Sequence, residues 1–333
     1  MSHFQALSMR ELCERLCEKR KTLIIYHVRS DADAVGSAFA LRELLRMMDI
    51  PAICACGDEV PERLRFLIDG VQGSVLVDEG LGLDHDRVIS VDSASPQQLG
   101  DLFPRLHRYV DMMIDHHETG TVYADYYIDP KASATGEILF EVAKELVRMG
   151  KIPSIPSRVI NCVYAAICSD MGCFRFANAT PGTFRAVAEL LEAGAEQTEI
   201  NRRLFESKTF KQVKAEGEAA GRMVLHDGGK IASVTFPYSS KFALSLTDEH
   251  LETIIDIPRS VAGVEIAYSV RQPEDKPFFR VSMRSSSDFD VSSVCAAFGG
   301  GGHMRAAGCS LEARNVREAE EMVLAVIRQK MGK

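Results

Sequence analysis

Short apolar runs alternate with helical spacing through the first half of the chain. The runs predict strands, which lie at residues 22–28, 52–56, 74–77, 88–91 and 109–114. Helical patterns separate or follow these runs, at residues 33–48, 62–68, 97–106, 135–148 and 157–168. Strands that alternate with helices favour a mostly parallel, doubly wound sheet with helices on its faces. We therefore predict an α/β fold for this part of the chain.

The second half predicts a helical connection followed by a smaller α/β domain. A helix to about Glu192 precedes a polar, charged helical stretch from about Thr198 to Met223, which we interpret as a linker. Later strands are predicted at 230–236, 264–270, 278–283 and 307–311, with helices at 248–262, 291–298 and 316–331. We accordingly predict a domain at 1–195, a helical linker at 196–224 and a second domain at 225–333.

Composition supports two buried cores in a soluble protein. The 333 residues include 46% apolar and 26% charged residues, which is ordinary for globular domains. No apolar run is long enough to span a membrane, and the charged start is unlike a secretory signal, so we expect a cytoplasmic protein. The nine cysteines sit mostly in apolar patterns, and we interpret Cys54 and Cys56 as strand residues rather than metal ligands.

Acidic residues and histidines follow apolar elements at four places. They are His27 with Asp31 and Asp33, then Asp92, then Asp115-His116-His117, and finally Asp170. Each place by itself is better explained as a turn or a helix cap, and Asp31 and Asp33 could simply cap the next helix. However, the carboxyl ends of parallel strands meet at one edge of a sheet. The coincidence of four such places favours a shared site.

Carboxylates mixed with imidazoles are ligands for a divalent first-row metal such as Mn²⁺. The set is larger than one ion takes, which predicts two ions that share a bridging carboxylate. Mn²⁺ is the expected metal, with Mg²⁺ or Co²⁺ as alternatives. Two such ions would also offset the negative charge of the clustered carboxylates.

Five motifs in order resemble the DHH family of phosphoesterases. Asp115-His116-His117 matches the signature, and the segment His27–Ser37 is similar to the first motif, with Ser-Asp-Ala-Asp where Pro-Asp-Gly-Asp is usual. Val91-Asp92 and Ser169–Phe176 are similar to two further motifs. Gly299–Gly308 resembles the glycine-rich motif of the DHH-associated C-terminal domain, and the order of motifs resembles the branch of nanoRNases and pAp phosphatases.

The resemblance implies specific roles for these residues. One ion would be held by His27, Asp31 and Asp92. The second would be held by Asp33, Asp92, His116 and Asp170. His117 would contact the phosphate or act as an acid, while Asp115 orients its neighbours.

The C-terminal glycine run and a strand-end arginine are candidates for substrate binding. Backbone without a Cβ can approach a ligand closely, although a run of glycines can equally be a flexible loop. Arg284 offers a guanidinium for a phosphate or base, with a solvated strand-end charge as the alternative. The predicted substrate-binding residues are Arg284, Ser285, Gly300, Gly301, Gly302 and His303.

The resemblance implies hydrolysis of short oligoribonucleotides (nanoRNA), of 3'-phosphoadenosine 5'-phosphate (pAp), or of both. Alternatives are a phosphodiesterase for linear or cyclic dinucleotides, a single-strand exonuclease, and a non-catalytic nucleotide sensor. The net charge of −8 argues against long duplex nucleic acid as a partner, and the lack of a long apolar run argues against a membrane. A short RNA or small nucleotide is the expected partner, and a homodimer is left open.

Overall fold

Six parallel strands form the centre of the first of two compact units in this computed structural model. The structure describes residues 4–68, 74–76, 84–106, 110–176 and 178–332. The strands are β1 (Thr22–Ile25), β2 (Ala52–Cys56), β3 (Ser74–Leu76), β4 (Arg87–Val91), β5 (Val110–Asp115) and β6 (Asp125–Ile128). Their order is β3-β2-β1-β4-β5-β6, and every neighbouring pair is parallel. The predicted doubly wound sheet is confirmed. Val77 and Tyr109, at the ends of two predicted strands, lie outside the described residues.

Helices cover both faces of this sheet. They are α1 (Met9–Leu16), α2 (Ala32–Met47), α3 (Phe103–Leu106), α4 (Thr135–Arg148), α5 (Ser157–Asp170), α6 (Pro181–Glu192) and α7 (Gln197–Asn201). A large core under α1, α2, α4 and α5 packs on one face, and a smaller core including Leu99 and Leu102 packs on the other. No helix within the described part of the chain is long and apolar enough to cross a membrane.

Two predicted helices of this unit are 3₁₀ segments instead. The pattern at 62–68 forms a 3₁₀ helix at Glu62–Leu67, and the pattern at 97–106 forms one at Pro96–Leu102 before α3. Gly100 lies between the turns with φ +59°, a left-handed conformation that interrupts a helix. The strand β6, which follows the site motif, was not predicted, because its side chains are only partly buried.

The direction in which strands are added reverses between β1 and β4. From β1 the sheet grows through β2 to β3, and from β4 it grows in the opposite direction through β5 to β6. Loops leaving the carboxyl ends of β1 and β4 therefore diverge and leave a crevice, where open α/β sheets bind their ligands.

The second unit contains a mixed sheet with helices. Its strands are β7 (Met223–His226), β8 (Ile231–Phe236), β9 (Ile266–Arg271), β10 (Phe278–Ser285), β11 (Gly301–His303) and β12 (Ala306–Glu312). Its helices are α8 (Phe210–Gly221), α9 (Tyr238–Ala243), α10 (Asp256–Arg259), α11 (Val291–Ala296) and α12 (Val316–Lys330). The strand order is β11-β12-β10-β9-β8-β7, with only β8 and β9 parallel. The predicted second α/β domain is confirmed.

The predicted linker helix at 196–224 is wrong as a single helix. The chain divides into units at Met1–Ser207 and Lys208–Lys333, so the boundary cuts through this stretch. Ser207 is extended, and Thr209 and Gln212 form a capping box that begins α8. Ala215 and Ala219 of α8 are buried in the core of the second unit, and the last two residues of the stretch begin β7. The stretch is therefore shared by both units.

The helix predicted at 248–262 is also wrong. The segment forms two short 3₁₀ turns, Glu249–Leu251 and Thr253–Ile255, and then the short helix α10. Pro258 lies within it, and a proline provides no N–H for an internal helical hydrogen bond. The glycine run, for which a flexible loop was one interpretation, contributes β11 to the sheet edge.

Candidate metal centre

Side chains from three neighbouring strand ends converge at the crevice between β1 and β4. His27 follows β1, Asp92 follows β4, and Asp115 ends β5. Because β1, β4 and β5 are adjacent in the sheet, these residues and the two histidines after Asp115 occupy one edge. The first turn of α2 supplies Asp33, and the last residue of α5 is Asp170.

These residues form two groups that could each hold a metal ion. In the first group, His27 Nε2 lies 3.8 Å from Asp31 Oδ1 and 3.5 Å from Asp92 Oδ2. In the second, His116 Nε2 lies 3.3 Å from Asp170 Oδ2 and 3.8 Å from Asp33 Oδ2. The ligand atoms within each group all lie within 4.8 Å of one another. The mixture of carboxylate and imidazole donors fits divalent first-row metals.

Asp92 lies between the two groups. Its Oδ2 faces His27, and its Oδ1 lies 3.8 Å from His116 Nε2. The residue is buried and has φ +52°, a left-handed conformation that is uncommon for residues other than glycine. Such strain concentrates at functional sites because the surrounding structure must hold it. The geometry gives Asp92 one oxygen for each group.

Both ligand histidines are oriented by main-chain carbonyls. His27 Nδ1 donates to Val28 O at 2.9 Å, and His116 Nδ1 donates to Ala132 O at 3.3 Å. Each ring therefore presents Nε2 to the carboxylates. Metal-binding histidines are usually held in this way through their second nitrogen, so the orientation supports a ligand role.

His117 differs from the other two histidines because Asp115 holds its Nδ1. Asp115 Oδ1 accepts hydrogen bonds from His117 Nδ1 at 2.7 Å and from the backbone N–H of His116 and His117. His117 also belongs to a third group with Asp92 and His116, but the bond to Asp115 already occupies Nδ1. The side chain is 33% exposed, so Nε2 is the atom available to a substrate.

The clustered carboxylates and His27 shift one another's pKa values. Burial and the charges of Asp92 and Asp170 raise the pKa of Asp33 well above its usual value. Burial and the charges of Asp31 and Asp92 raise the pKa of Asp170 to about 8. Burial opposes the charged form of His27, but hydrogen bonds to Asp31 and Asp92 raise its pKa to about 11. Like charges held this close favour an added cation, whether a proton or a metal.

The interpretation of Asp31 and Asp33 as simple helix caps is half right. Asp31 is the N-cap of α2, and its Oδ1 accepts from the N–H groups of Asp33 and Ala34 at 3.0 Å each. The same oxygen faces His27, so capping fixes a carboxylate that belongs to the ligand group. Asp33 does not cap α2. Its carboxylate accepts hydrogen bonds from α4 instead.

The predicted substrate-binding residues share one end of the second sheet. Arg284 of β10 pairs with Ala306 of β12, which also pairs with His303 of β11. Directly paired residues project from the same face, so Arg284 and His303 lie on one face. Ser285 follows in β10, and its hydroxyl donates to Ser287 O at 3.1 Å.

The glycines of the run have different surroundings. A Cβ on Gly300 would lie 2.3 Å from Gly308 O, and one on Gly302 would lie 2.6 Å from Ala306 O. Packing against β12 therefore explains both residues without a ligand. A Cβ on Gly301 would meet nothing within 4 Å among the described residues, so Gly301 is where backbone is open to approach.

Sequence reasoning missed two residues that contact the ligand carboxylates. Thr135 and Gly136 begin α4 and donate hydrogen bonds to Asp33, and the Thr135 hydroxyl also donates to Asp92. In the sequence they appear only as a threonine and a glycine at the start of a strong helical pattern. Such residues are common at the start of helices that carry no functional site.

Comparison with known proteins matches one domain model to each of the two units. A model of the DHH family's N-terminal domain matches residues 21–167, and a DHHA1 domain model matches residues 234–329. The chain therefore contains a DHH N-terminal domain and a DHHA1 domain. The first match contains the ligand groups except Asp170, which follows three residues after its end, and the second match contains Arg284 and His303.

Two relatives with different named activities align along most of the chain. A bifunctional oligoribonuclease and PAP phosphatase NrnA of Thermus thermophilus is 28% identical, over 92% of this chain and 89% of that protein. A cyclic-di-AMP phosphodiesterase PdeA of Listeria monocytogenes is 24% identical over 95% of this chain, which spans 48% of that protein. The crystal structure of an exopolyphosphatase-related protein from Bacteroides fragilis has a TM-score of 0.87 and 21% identity, over 99% of this chain and 100% of that one. This last likeness shows the fold.

Proposed function

We propose that this chain is a metal-dependent phosphoesterase that hydrolyses short oligoribonucleotides, pAp, or both. The observation that carries the proposal is the pair of ligand groups that share Asp92 at the crevice of the sheet. The relative from Thermus thermophilus supports the substrate class, because its name states both activities and the alignment spans both units.

The proposed ligand sets combine the observed groups with the roles that the family resemblance implies. His27, Asp31 and Asp92 would hold one ion, and Asp33, Asp92, His116 and Asp170 would hold the other. When bound, two divalent ions would activate water and offset the negative charge of the phosphoryl group. We propose Mn²⁺ as the metal, with Mg²⁺ or Co²⁺ as alternatives, because imidazole donors accompany the carboxylates.

His117 is proposed to act on the substrate rather than on the metals, with Asp115 orienting its ring. Burial disfavours a charged His117, but the hydrogen bond to Asp115 and its negative charge raise the pKa of the ring to about 9. A protonated ring presents an N–H at Nε2 at neutral pH. That group can donate to a phosphate oxygen or protonate the leaving oxygen as the P–O bond breaks.

The second unit is proposed to bind the part of the substrate away from the scissile phosphate. Arg284, Ser285, His303 and the backbone of 300–302 are the candidate contacts, and of these three glycines Gly301 is the one whose added Cβ would meet no described atom within 4 Å. A guanidinium on the same sheet face as His303 suits a second phosphate or a nucleobase.

A panel of substrates with Mn²⁺ tests the proposal. It compares pAp, the linear dinucleotide pApA, cyclic di-AMP, a longer single-stranded RNA and pyrophosphate. We expect turnover of pAp or pApA to exceed turnover of the long RNA, since a net charge of −8 disfavours binding of a long strand. Faster cleavage of the long RNA would favour an exonuclease. Preference for cyclic di-AMP would favour the activity named for the Listeria relative, and binding without turnover would favour a sensor.

A further inference from the structure

The start of α4 lacks a side-chain cap of its own. Its N-cap residue is Ala134, which has no side chain that can accept a hydrogen bond from the first turn. The first N–H groups of a helix need acceptors from elsewhere. Here Asp33 of α2 supplies them, because Asp33 Oδ2 accepts from Thr135 N at 2.7 Å and Asp33 Oδ1 accepts from Gly136 N at 2.9 Å. One proposed metal ligand therefore caps a different helix.

The hydroxyl of Thr135 contacts the carboxylate of Asp92. Thr135 Oγ1 donates to Asp92 Oδ1 at 3.0 Å, and both residues are buried. The first residue of α4 thus contacts Asp33 through its main chain and Asp92 through its side chain. A hydrogen bond to a buried carboxylate is stronger than one between neutral groups, so this contact can orient the acceptor.

These hydrogen bonds leave lone pairs on Asp33 and Asp92 that face the ligand groups. Asp33 Oδ1 accepts from both Gly136 N and Ser37 Oγ, at 2.9 Å each, and Asp33 Oδ2 accepts from Thr135 N. A carboxylate offers about four acceptor positions, so roughly one remains, on the oxygen 3.8 Å from His116 Nε2. In Asp92, the hydroxyl contacts Oδ1 and leaves Oδ2 to the group of His27.

We infer that Thr135 is a positioning residue of the proposed metal centre. Its hydroxyl fixes the rotation of the Asp92 carboxylate, so that the two oxygens face different ligand groups. Its N–H restricts Asp33 to one metal-facing lone pair. The inference rests on the proposed function, because it concerns how the two ions share Asp92. Residues that orient metal ligands act on metal affinity without touching the ion.

The test compares Thr135→Val, which removes the hydroxyl at nearly constant shape, with Thr135→Ser, which keeps it. Thr183→Val is the matched control, because Thr183 is equally buried and its hydroxyl donates to a carboxylate outside the site, Glu137 Oε2, at 3.0 Å. Three quantities are measured for each protein. They are Mn²⁺ affinity by chelator competition, kcat and KM for pApA, and the unfolding midpoint in EDTA.

We expect Thr135→Val to weaken binding of at least one Mn²⁺ ion by roughly 10–100-fold and to lower kcat more than it raises KM. Thr135→Ser should stay near wild type, and Thr183→Val should keep wild-type Mn²⁺ affinity. Wild-type affinity in Thr135→Val would overturn the inference while leaving the proposed function intact. Equal loss of affinity in all three variants, with lower unfolding midpoints in EDTA, would assign Thr135 to packing instead. Absence of Mn²⁺ binding by the wild type would overturn both proposals.

Discussion

Asp92 combines a strained backbone, deep burial and contact with both ligand groups. The change Asp92→Asn keeps the shape of the side chain and an oxygen that can accept from Thr135, but it removes the negative charge. We expect loss of at least one bound Mn²⁺ ion and a fall in turnover greater than the roughly 10–100-fold typical of residues that only orient a ligand. Bound metal is counted by elemental analysis alongside the rate of pApA hydrolysis.

The control for Asp92→Asn is Asp101→Asn, which makes the same charge change at an exposed position of the same unit. It should leave metal content and rate unchanged. Two tightly bound ions and a near-normal rate in Asp92→Asn would show that Asp92 is not the shared ligand.

Asp115 is predicted to matter for rate but not for metal binding. Its Oδ1 holds His117 Nδ1 and two backbone N–H groups, and none of these belongs to the proposed metal ligands' side chains. Asp115→Asn should therefore lower kcat by about 10–100-fold while two ions remain bound. Metal content and kcat are measured on the same preparation. Loss of metal in parallel with loss of rate would place Asp115 among the residues that maintain the ligand groups.

At the scale of elements, close helix packing brings the ligand residues together. Gly36 lies in α2, which also contains Asp33, and a Cβ there would lie 2.5 Å from Cys162 O of α5, the helix that ends at Asp170. Gly36→Ala must move one helix, and we expect it to destabilise the protein by about 1–3 kcal/mol. The free energy of unfolding is measured by chemical denaturation in EDTA.

Gly217→Ala is the matched control, because Gly217 is inside α8 and a Cβ there would meet nothing within 4 Å among the described residues. Alanine is the better helix former, so this change should stabilise the protein by roughly 0.5–1 kcal/mol. A neutral or stabilising effect of Gly36→Ala would show that α2 and α5 can separate without cost.

Hydrophobic periodicity predicted most elements because their burial follows it. The helix predicted at 135–148 matches α4, whose buried residues repeat at helical spacing, and the fully buried run 88–91 matches β4. The prediction failed where a local signal opposed the pattern, as with the capping box at Thr209 and Pro258 within a helical pattern. Hydrophobic periodicity over many residues does not detect a single residue that begins or interrupts a helix.

Only part of the candidate site could be predicted from the sequence. Strand-end acids and histidines are visible in the sequence, and the rule that strand ends converge brings them together. The contact between Thr135 and Asp92 joins residues 43 positions apart and depends on how α4 begins over the sheet. The bond from Asp115 to His117 depends on side-chain rotation. Neither contact can be predicted from the spacing of residues in the sequence.

At the scale of the whole molecule, the two units are predicted to have separable effects on the reaction. Arg284→Ala should raise KM for pApA strongly, because it removes a contact to a remote phosphate or base, and a smaller loss of kcat is allowed. Metal content should not change. Hydrolysis of a small activated phosphodiester, which has no second group to bind, should be nearly indifferent to the change.

Arg280→Ala is the control for Arg284→Ala. Arg280 projects from the same face of β10, and its guanidinium lies 3.2 Å from Asp248. It should leave KM for pApA close to wild type. If the small ester is affected by Arg284→Ala as severely as pApA, then Arg284 supports the fold and does not bind substrate.

The dependence of turnover on bound Mn²⁺ tests the two-ion site most directly. Protein stripped with a chelator is titrated with Mn²⁺ while bound ions per chain and the rate of pApA hydrolysis are measured together. We expect no turnover without metal and full turnover only as the second ion per chain binds, because Asp92 faces both ligand groups. Full turnover with no ion bound, or saturation at one ion per chain, would contradict the two-ion site.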